Sequence, residues 1–262
     1  MQIGFDVGAT KIETVVLEES GQEKHRSRIT CPKDYLKTIN TIKDLSHKLE
    51  KEFQKELTIG VCHPGTHSPQ TGLVKNAPNC NWLEKKPFQN DLRKALGKEV
   101  FCENDGNCFA LSEAIDGSGK HYKIVYGIIL GSGAGGGLVI DKQIVSGLNG
   151  VAGEWGHNQI PYFAAKKENF DSNNAREAEV ESFISGLGLA KRFNKIYGKN
   201  LKTSEIFEMY RKHDLDAERF IDEFKLNLAM SLSAIINILD PDAFIFGGGV
   251  SNEIDFLSEI ES

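Results

Sequence analysis

The chain has 262 residues, of which 40% are hydrophobic and 26% are charged, and its formal net charge is -6 at pH 7. These values are ordinary for a globular protein with room for one large domain or two smaller ones. The lysines and arginines are scattered along the chain, which argues against a nucleic acid or an anionic membrane surface as partner. We therefore expect a small, diffusible substrate.

The N-terminus and the cysteines favour a cytoplasmic protein. The first residues, MQIGFDVGATK, lack the basic and apolar segments of a secretory signal. No apolar run is long enough to span a bilayer. The five cysteines form no CxxC or CxC pair, a pattern that favours reduced thiols over a disulfide framework or a zinc knuckle.

Two strand-turn-strand units begin the two halves of the chain. Residues 1–6 and 12–17 predict strands around a turn at 8–10. Residues 124–130 and 137–141 predict strands on either side of Gly131-Ser132-Gly133. The chain therefore repeats one plan, a strand hairpin followed by helices.

Amphipathic helices are predicted near residues 39–53 and 220–239, because apolar residues recur there with helical spacing. Hairpins followed by helices in two successive halves indicate a two-domain α/β protein. The turn-forming residues 116–119 mark the boundary. We expect an N-terminal α/β domain over residues 1–117 and a C-terminal α/β domain over residues 118–262.

The first glycine turn has the features of a phosphate-binding loop. Glycine lets backbone N–H groups approach phosphate oxygens closely, because it has no Cβ and adopts positive φ angles easily. Asp6 leaves the first strand where a carboxylate would face Mg²⁺, and Thr10 lies in the turn after Gly8, where a hydroxyl would face a phosphate. For this motif alone, an ordinary hairpin turn is the alternative.

The second glycine cluster formally matches the dinucleotide fingerprint GxGxxG at Gly131, Gly133 and Gly136. That fingerprint requires a helix after the glycines, whereas the following residues predict a strand, which argues against a dinucleotide site. The P-loop pattern GxxxxGK[ST] is absent from the sequence. Two phosphate hairpins and a third glycine cluster around Gly248, expected against the adenosine, favour an actin-like kinase.

Asp105 is the candidate catalytic base. It lies in the segment Glu103-Asn104-Asp105-Gly106-Asn107, immediately before a helical pattern. A kinase needs a carboxylate near the γ-phosphate to accept the proton of the acceptor hydroxyl. The alternative is that this carboxylate only caps a helix.

A second candidate cluster for the phosphate acceptor is Glu154-Trp155-Gly156-His157. Ionised carboxylates accept hydrogen bonds from hydroxyl groups and a neutral histidine can donate or accept, so the cluster suits a polyol. A structural histidine is the alternative for His157. Glu181 cannot be singled out by pattern alone.

Taken together, the motifs DVGATK, ENDGN, GSGAGGG, GEWGH and ILDPDAFIFGGG resemble the ROK family of sugar kinases, in the same order and from residue 1 to about residue 252. The segments SPQTGLVKNA, SEAIDG and AGEWGHNQIP are most similar to bacterial fructokinases with mannokinase activity. The resemblance implies a two-domain actin-like fold of the hexokinase and ribonuclease H-like ATPases. It also implies ATP and Mg²⁺ as cofactors, a hexose as substrate and a homodimer as the assembly.

The resemblance assigns residues to the two ligands. It implies that Asp105 is the catalytic base and that the sugar site consists of Gly65, Asn104, Asp105, Glu154, His157 and Glu181. Together with the glycine loops, it implies a nucleotide site of Asp6, Gly8, Thr10, Lys11, Gly131, Ser132, Gly133, Gly135, Gly136 and Gly248.

The chain departs from the family in two ways. Most members carry a CxCG motif and a later cysteine, and the histidine matching His157 completes their zinc site. Here the segment reads NFDSNNAREAEVE and no cysteine follows Cys108, so we expect no structural zinc. Relatives also continue past the last glycine cluster with a helix, a strand and a closing helix, and we expect the C-terminal domain of this chain to lack them.

From these features we expect an ATP-dependent fructokinase that converts D-fructose to fructose 6-phosphate. The alternatives within the family are an N-acetylglucosamine kinase and a glucokinase. A non-catalytic sugar-binding protein is the alternative of another class. A ROK-type repressor is disfavoured, because only five residues precede Asp6.

Overall fold

The structure, a computed structural model, describes residues 1–160 and 175–255. Internal contacts divide the chain into two compact units. Unit 1 comprises residues 1–108 and 147–151, and unit 2 comprises residues 109–146 and the described residues from 152 onward. The domain limits at residues 117 and 118 stay a prediction.

Unit 1 is an α/β unit. Its strands are β1 (Gln2–Val7), β2 (Lys11–Leu17), β3 (Glu23–Thr30), β4 (Thr58–His63), β5 (Thr66–His67), β6 (Val74–Lys75) and β7 (Val100–Asn104). Its helices are α1 (Tyr35–Phe53), α2 (Phe88–Leu96) and the start of α3 (Asp105–Ile115). Five strands form one sheet in the order β3-β2-β1-β4-β7, antiparallel on the β3 side and parallel from β1 to β7.

Helix α1 shows why the sequence pattern predicted a packed helix. The Asp34 side chain accepts a hydrogen bond from the Lys37 N–H at 2.9 Å and so caps the first turn. Ile39, Ile42 and Leu49 recur on one face and are buried in the core of unit 1. The predicted amphipathic helix is confirmed.

Unit 2 repeats the hairpin plan. Its strands are β8 (Ile124–Leu130), β9 (Ala134–Ile140), β10 (Gln143–Ile144) and β11 (Ala243–Gly247). Its helices, besides the rest of α3, include α4 (Glu181–Ile184), α5 (Gly186–Tyr197), α6 (Thr203–Arg211) and α7 (Leu215–Leu239). The sheet order is β10-β9-β8-β11, with β11 parallel to β8. Strand β9 begins at Ala134 and contains Gly136, so the predicted strand after Gly133 is confirmed and no helix opens at these glycines.

Two features stabilise unit 2. Helix α7 buries Phe220, Phe224 and Leu228 on one face, as its periodicity predicted. In addition, Lys142, which lies between β9 and β10, holds the loop that follows α3. The Lys142 ammonium group donates to backbone carbonyl oxygens at 2.6 to 3.5 Å, which belong to Ala114, Gly119, Lys120 and Tyr122.

The described residues contain no helix that is both long and apolar enough to cross a membrane. The five cysteines all lie within the described residues, and all five are free thiols. The predicted reduced state of the cysteines is therefore consistent with the structure.

Candidate active site

The carboxyl ends of three parallel strands meet at one edge of the unit 1 sheet. Asp6 in β1 lies opposite Cys62 in β4, which lies opposite Glu103 in β7. Asp105 begins α3 immediately after β7. Open α/β sheets bind ligands beyond the carboxyl ends of their strands. This edge brings the candidate base Asp105 together with Asp6, the candidate Mg²⁺ ligand.

Asn104 caps helix α3. Its Oδ1 accepts hydrogen bonds from the N–H groups of Gly106 at 2.8 Å and Asn107 at 3.2 Å. Its Nδ2 donates to the carbonyl oxygen of Gly65 at 3.0 Å. Asp105 shares the Gly106 N–H through its own Oδ1 at 2.9 Å. Because Asn104 already caps the helix, Asp105 is not needed for capping alone.

Gly65 turns the chain after β4 in a conformation that favours glycine. Its φ angle is 76°, and a Cβ there would lie 2.5 Å from the carbonyl oxygen of Lys75. Its own carbonyl oxygen receives the Asn104 side chain. Gly65 therefore shapes the site through its backbone, and a direct contact with a sugar stays a prediction.

The surroundings of Asp105 suit a proton acceptor. Its side chain is exposed, yet the protein around it removes enough water to raise the pKa of the carboxyl group above its ordinary value. The Gly106 N–H opposes this effect, and the negative charge of Asp6 adds to it. A carboxylate with a raised pKa is a stronger base as long as it remains ionised.

A buried histidine pair lies beside this edge. His63, at the end of β4, is fully buried and lies opposite Asn104 in the sheet. Its Nε2 is 2.9 Å from Nε2 of His67, and its Nδ1 is 2.9 Å from the Pro64 carbonyl oxygen. Burial and then the nearby His67 lower the pKa of His63 to about 4. Sequence reasoning missed this pair, because no pattern marks two histidines as partners.

The first glycine turn is open. The Gly8 N–H donates to the Lys11 carbonyl oxygen at 2.9 Å and closes the turn between β1 and β2. A Cβ on Gly8 would lie 3.4 Å from that oxygen, an ordinary van der Waals contact. Asp6, Thr10 and Lys11 are exposed around the turn, as a phosphate-binding role requires.

The second glycine turn is tightly contacted. The Gly131 N–H donates to the Gly133 carbonyl oxygen at 2.9 Å. Glu181 Oε2 accepts a hydrogen bond from the Ala134 N–H at 2.8 Å. A Cβ on Gly133 would lie 2.6 Å from the same carboxylate oxygen, whereas a Cβ on Gly135 would meet nothing within 4 Å. A side chain at position 133 would therefore force the Glu181 carboxylate to move away from the turn.

The segment that carries Glu154 and His157 packs on β9. Trp155 Nε1 donates to the Gly135 carbonyl oxygen at 2.8 Å. A Cβ on Gly156 would lie 2.1 Å from the Ala134 carbonyl oxygen, so this position also needs glycine. The GEWGH motif is thereby fixed against the second glycine turn.

His157 belongs to a cluster of carboxylates. Its Nδ1 lies 2.9 Å from Glu179 Oε2, and this hydrogen bond raises the pKa of the imidazole above its ordinary value. Partial burial opposes the rise, and the charges of Glu179, Glu154 and Glu181 add to it. Unit 2 thus brings together Glu154, His157 and Glu181, three of the predicted sugar-binding residues. Glu179 was not among the predicted sugar-binding residues.

The zinc expectation stays a prediction. Within residues 1–160 and 175–255, no group of three His, Cys, Asp or Glu side chains is arranged to hold a metal ion. If zinc were found, Asp171 and Glu179 would have to be reconsidered as ligands, and Asp171 lies outside the described residues. In the described part of the chain, His157 pairs with the Glu179 carboxylate and with no cysteine sulfur. These residues therefore do not fit the zinc ligand set of the family.

Gly248 follows β11 and adjoins the second glycine turn. Its φ angle is 93°, and a Cβ there would lie 2.5 Å from the Leu130 carbonyl oxygen. The Val250 N–H donates to the same oxygen at 2.8 Å. The third glycine cluster therefore lies against the end of β8, whose last residue, Leu130, directly precedes Gly131. Its contact with adenosine stays a prediction.

Two α/β units that each contain a strand hairpin are typical of the actin-like fold class. Comparison with known proteins gives the family: the chain matches the ROK family over residues 2–262. The protein therefore belongs to the ROK family, and the predicted family resemblance is confirmed.

Three of the proteins that the chain is similar to are sugar kinases. N-acetyl-D-glucosamine kinase from Histophilus somni is 38% identical over 99% of this chain and 87% of its own length. A ROK hexokinase from Thermus thermophilus superposes with a TM-score of 0.86 at 24% identity, over 99% of this chain and 87% of that chain. A ROK family glucokinase from Streptomyces griseus, solved with glucose and AMPPNP, gives 0.75 at 26% identity and the same coverage. The predicted actin-like fold class is confirmed.

Proposed function

We propose that the protein is an ATP-dependent kinase whose preferred substrate is N-acetylglucosamine. The observation that carries this proposal is the 38% identity to an N-acetyl-D-glucosamine kinase over 99% of the chain. This substrate was an alternative in the sequence analysis, where fructose was the main expectation. An alignment over nearly the whole chain carries more weight than three short segments.

Asp105 is the proposed catalytic base in this reaction. It would accept the proton of the sugar hydroxyl as that oxygen attacks the γ-phosphate. The raised pKa of its carboxyl group and its position at the carboxyl edge of the unit 1 sheet support this role. Asn104 and Gly65 would hold the helix start and the preceding turn in shape.

Asp6 is the proposed ligand of Mg²⁺. Magnesium is commonly held by one or two carboxylates together with water and phosphate oxygens, and Asp6 offers an exposed carboxylate at the end of β1. When bound, Mg²⁺ would neutralise charge on the phosphates. The open first turn would supply the Gly8, Thr10 and Lys11 contacts to the nucleotide.

Glu154, His157 and Glu181 are the proposed sugar-binding groups of unit 2. Carboxylates accept hydrogen bonds from sugar hydroxyls, and a protonated His157 held by Glu179 would donate one. A site that pairs a given group rejects a sugar lacking that group, because its own polar atoms are then unsatisfied.

Fructose is the second candidate substrate. It is favoured by the resemblance of residues 68–77 and 152–161 to bacterial fructokinases. A cytoplasmic location, a homodimer, and the absence of nucleic-acid and membrane partners also stay predictions. Light scattering on the purified protein would test the homodimer.

A substrate panel tests the proposal. N-acetylglucosamine, D-fructose, D-mannose and D-glucose would be compared by ADP release in the presence of ATP and Mg²⁺. We expect N-acetylglucosamine to give the highest kcat/KM, at least tenfold above fructose. A higher value for fructose would restore the fructokinase hypothesis. Sugar binding by calorimetry without any turnover would favour the non-catalytic sugar-binding protein.

A further inference from the structure

Glu181 contacts the second glycine turn directly. As the first residue of α4, it directs its carboxylate to the start of β9, where Oε2 accepts the Ala134 N–H at 2.8 Å. The two residues are 47 positions apart in the sequence. The contact therefore ties a distant segment to the turn that is predicted to bind phosphate.

The fit between the carboxylate and the turn is close. A Cβ on Gly133 would lie 2.6 Å from Glu181 Oε2. With Glu181 in place, Ala134 is only 5% exposed, and the carboxylate is the acceptor of its N–H. A buried N–H without an acceptor is unfavourable, and the turn would rearrange to find one.

The other bonds between these segments use backbone atoms. The Gly186 N–H donates to the Gly131 carbonyl oxygen at 2.8 Å, and the Leu187 N–H donates to the Ser132 carbonyl oxygen at 3.3 Å. A change of the Glu181 side chain removes neither the donor nor the acceptor of these two backbone hydrogen bonds. Substitution of Glu181 therefore removes one defined hydrogen bond from the turn.

Glu181 and the second glycine turn line the same cavity. Its lining includes Glu181, the turn residue Ser132, the helix-capping Ser185, and two lysines, Lys191 and Lys195. The cavity has a volume of about 240 Å³. A ligand entering it would meet positive charge together with both the carboxylate and the turn.

We propose that Glu181 serves both substrates: one carboxylate oxygen holds the second glycine turn in its phosphate-binding shape, and the other accepts a hydroxyl hydrogen bond from the sugar. This inference rests on the proposed kinase function and deepens it. For the nucleotide, Glu181 is a positioning residue that acts through the Ala134 N–H. A role confined to the sugar would leave nucleotide binding unchanged.

Three variants separate the two roles. In Glu181→Gln, the amide oxygen still accepts the Ala134 N–H, while the amide nitrogen replaces the second acceptor. In Glu181→Ala, both acceptors are lost. Glu177→Gln is the matched control, because Glu177 lines the same cavity but pairs with Lys191 at 3.9 Å.

Nucleotide affinity would be measured by calorimetry with Mg²⁺-AMPPNP in the absence of sugar, and KM for ATP and sugar by ADP release. We expect Glu181→Ala to weaken AMPPNP binding at least fivefold and to raise both KM values. Glu181→Gln should keep AMPPNP affinity within twofold of the unmodified protein and raise only the sugar KM. Glu177→Gln should change neither. Unchanged AMPPNP affinity in Glu181→Ala, or equal losses in the Ala and Gln variants, would overturn the proposal.

Hydrogen exchange of the ligand-free protein tests the positioning step without any kinase activity. The peptide containing Gly133–Gly135 should exchange faster in Glu181→Ala and at the unmodified rate in Glu181→Gln and Glu177→Gln. Unchanged exchange in Glu181→Ala overturns the inference. A failed substrate panel with the expected exchange pattern would instead reject the kinase proposal and leave the contact of Glu181 with the turn intact.

Discussion

The two glycine turns resemble each other in sequence and differ in what surrounds them. In the first turn, a Cβ on Gly8 would make an ordinary 3.4 Å contact with the Lys11 carbonyl oxygen. In the second, a Cβ on Gly133 would lie 2.6 Å from the Glu181 carboxylate. Glycine in the first turn leaves the backbone accessible, whereas Gly133 makes room for a side chain from elsewhere in the chain. One sequence signature therefore has two physical causes.

The largest expected effect concerns the edge that the first turn shares with Asp105. Asp105→Asn removes the proton acceptor and preserves its shape, so kcat should fall by roughly 10² to 10⁴. Sugar and nucleotide affinities, measured by calorimetry, should stay within a few fold, because asparagine keeps the shape of the side chain in the sugar site and the second turn is untouched. Near-normal turnover would reject Asp105 as the base.

Gly133→Ala tests the comparison of the turns directly. The added methyl group would push the Glu181 carboxylate away from the Ala134 N–H. Loss of that hydrogen bond at a buried donor should destabilise the protein by about 1–3 kcal/mol. Gly135→Ala, in the same hairpin, and Gly8→Ala, in the first turn, should each change the unfolding free energy by less than about 1 kcal/mol. Denaturant unfolding of the three ligand-free variants provides the measurement. Equal losses at Gly133 and Gly8 would show that the turns do not differ in this way.

The two units should also differ in how their stability depends on pH, which is a smaller effect. Burial holds the pKa of His63 at about 4, below its ordinary value. The contribution of neutral His63 to the stability of the fold is therefore fully present above about pH 6.5 and is lost as the pH falls toward 4. At ~1.4 kcal/mol per pH unit, unit 1 should lose about 2 kcal/mol between pH 7 and pH 5. Thermal unfolding of His63→Gln should show a weaker decline with acid. An identical decline would assign the acid sensitivity to other groups.

His157 in unit 2 should respond in the opposite direction. Its pKa is raised, first by the hydrogen bond to Glu179, so its contribution is present below its ordinary pKa and is lost as pH rises through the raised value. More than half of its side chain is exposed (57%), and solvent screening makes the effect small. His157→Gln should therefore alter the unfolding profile only slightly, and only on the acid side of that transition.

Local patterns predicted the strands and helices because those elements depend on nearby residues. The predicted strand at 124–130 coincides with β8, and the buried face of α7 follows its periodicity. A favoured N-cap residue type was also visible at Asn104, although its capping role was not inferred. The bond from Glu181 to Ala134 was invisible, because it joins positions 47 residues apart and a single sequence does not show which distant side chains meet.

Substrate preference was the least predictable feature, for a related reason. Hexoses differ by a few hydroxyl or acetamido groups, and discrimination depends on the position of individual hydrogen-bonding atoms. Short segments such as residues 68–77 resemble fructokinases, while similarity over 99% of the chain favours N-acetylglucosamine kinases. The motifs indicated phosphate transfer, whereas the sugar that accepts the phosphate has to be determined with the substrate panel.

The contact of Lys142 with the loop after α3 determines how this part of the fold should respond to the ions in the buffer. Carbonyl oxygens converging on one positive charge resemble the coordination shell that ion channels offer to dehydrated potassium. Here the charge is attached covalently as Lys142, so this loop should be indifferent to the choice of sodium or potassium in the buffer. Arginine would not be equivalent, because its planar guanidinium group cannot place one compact charge among four converging oxygens.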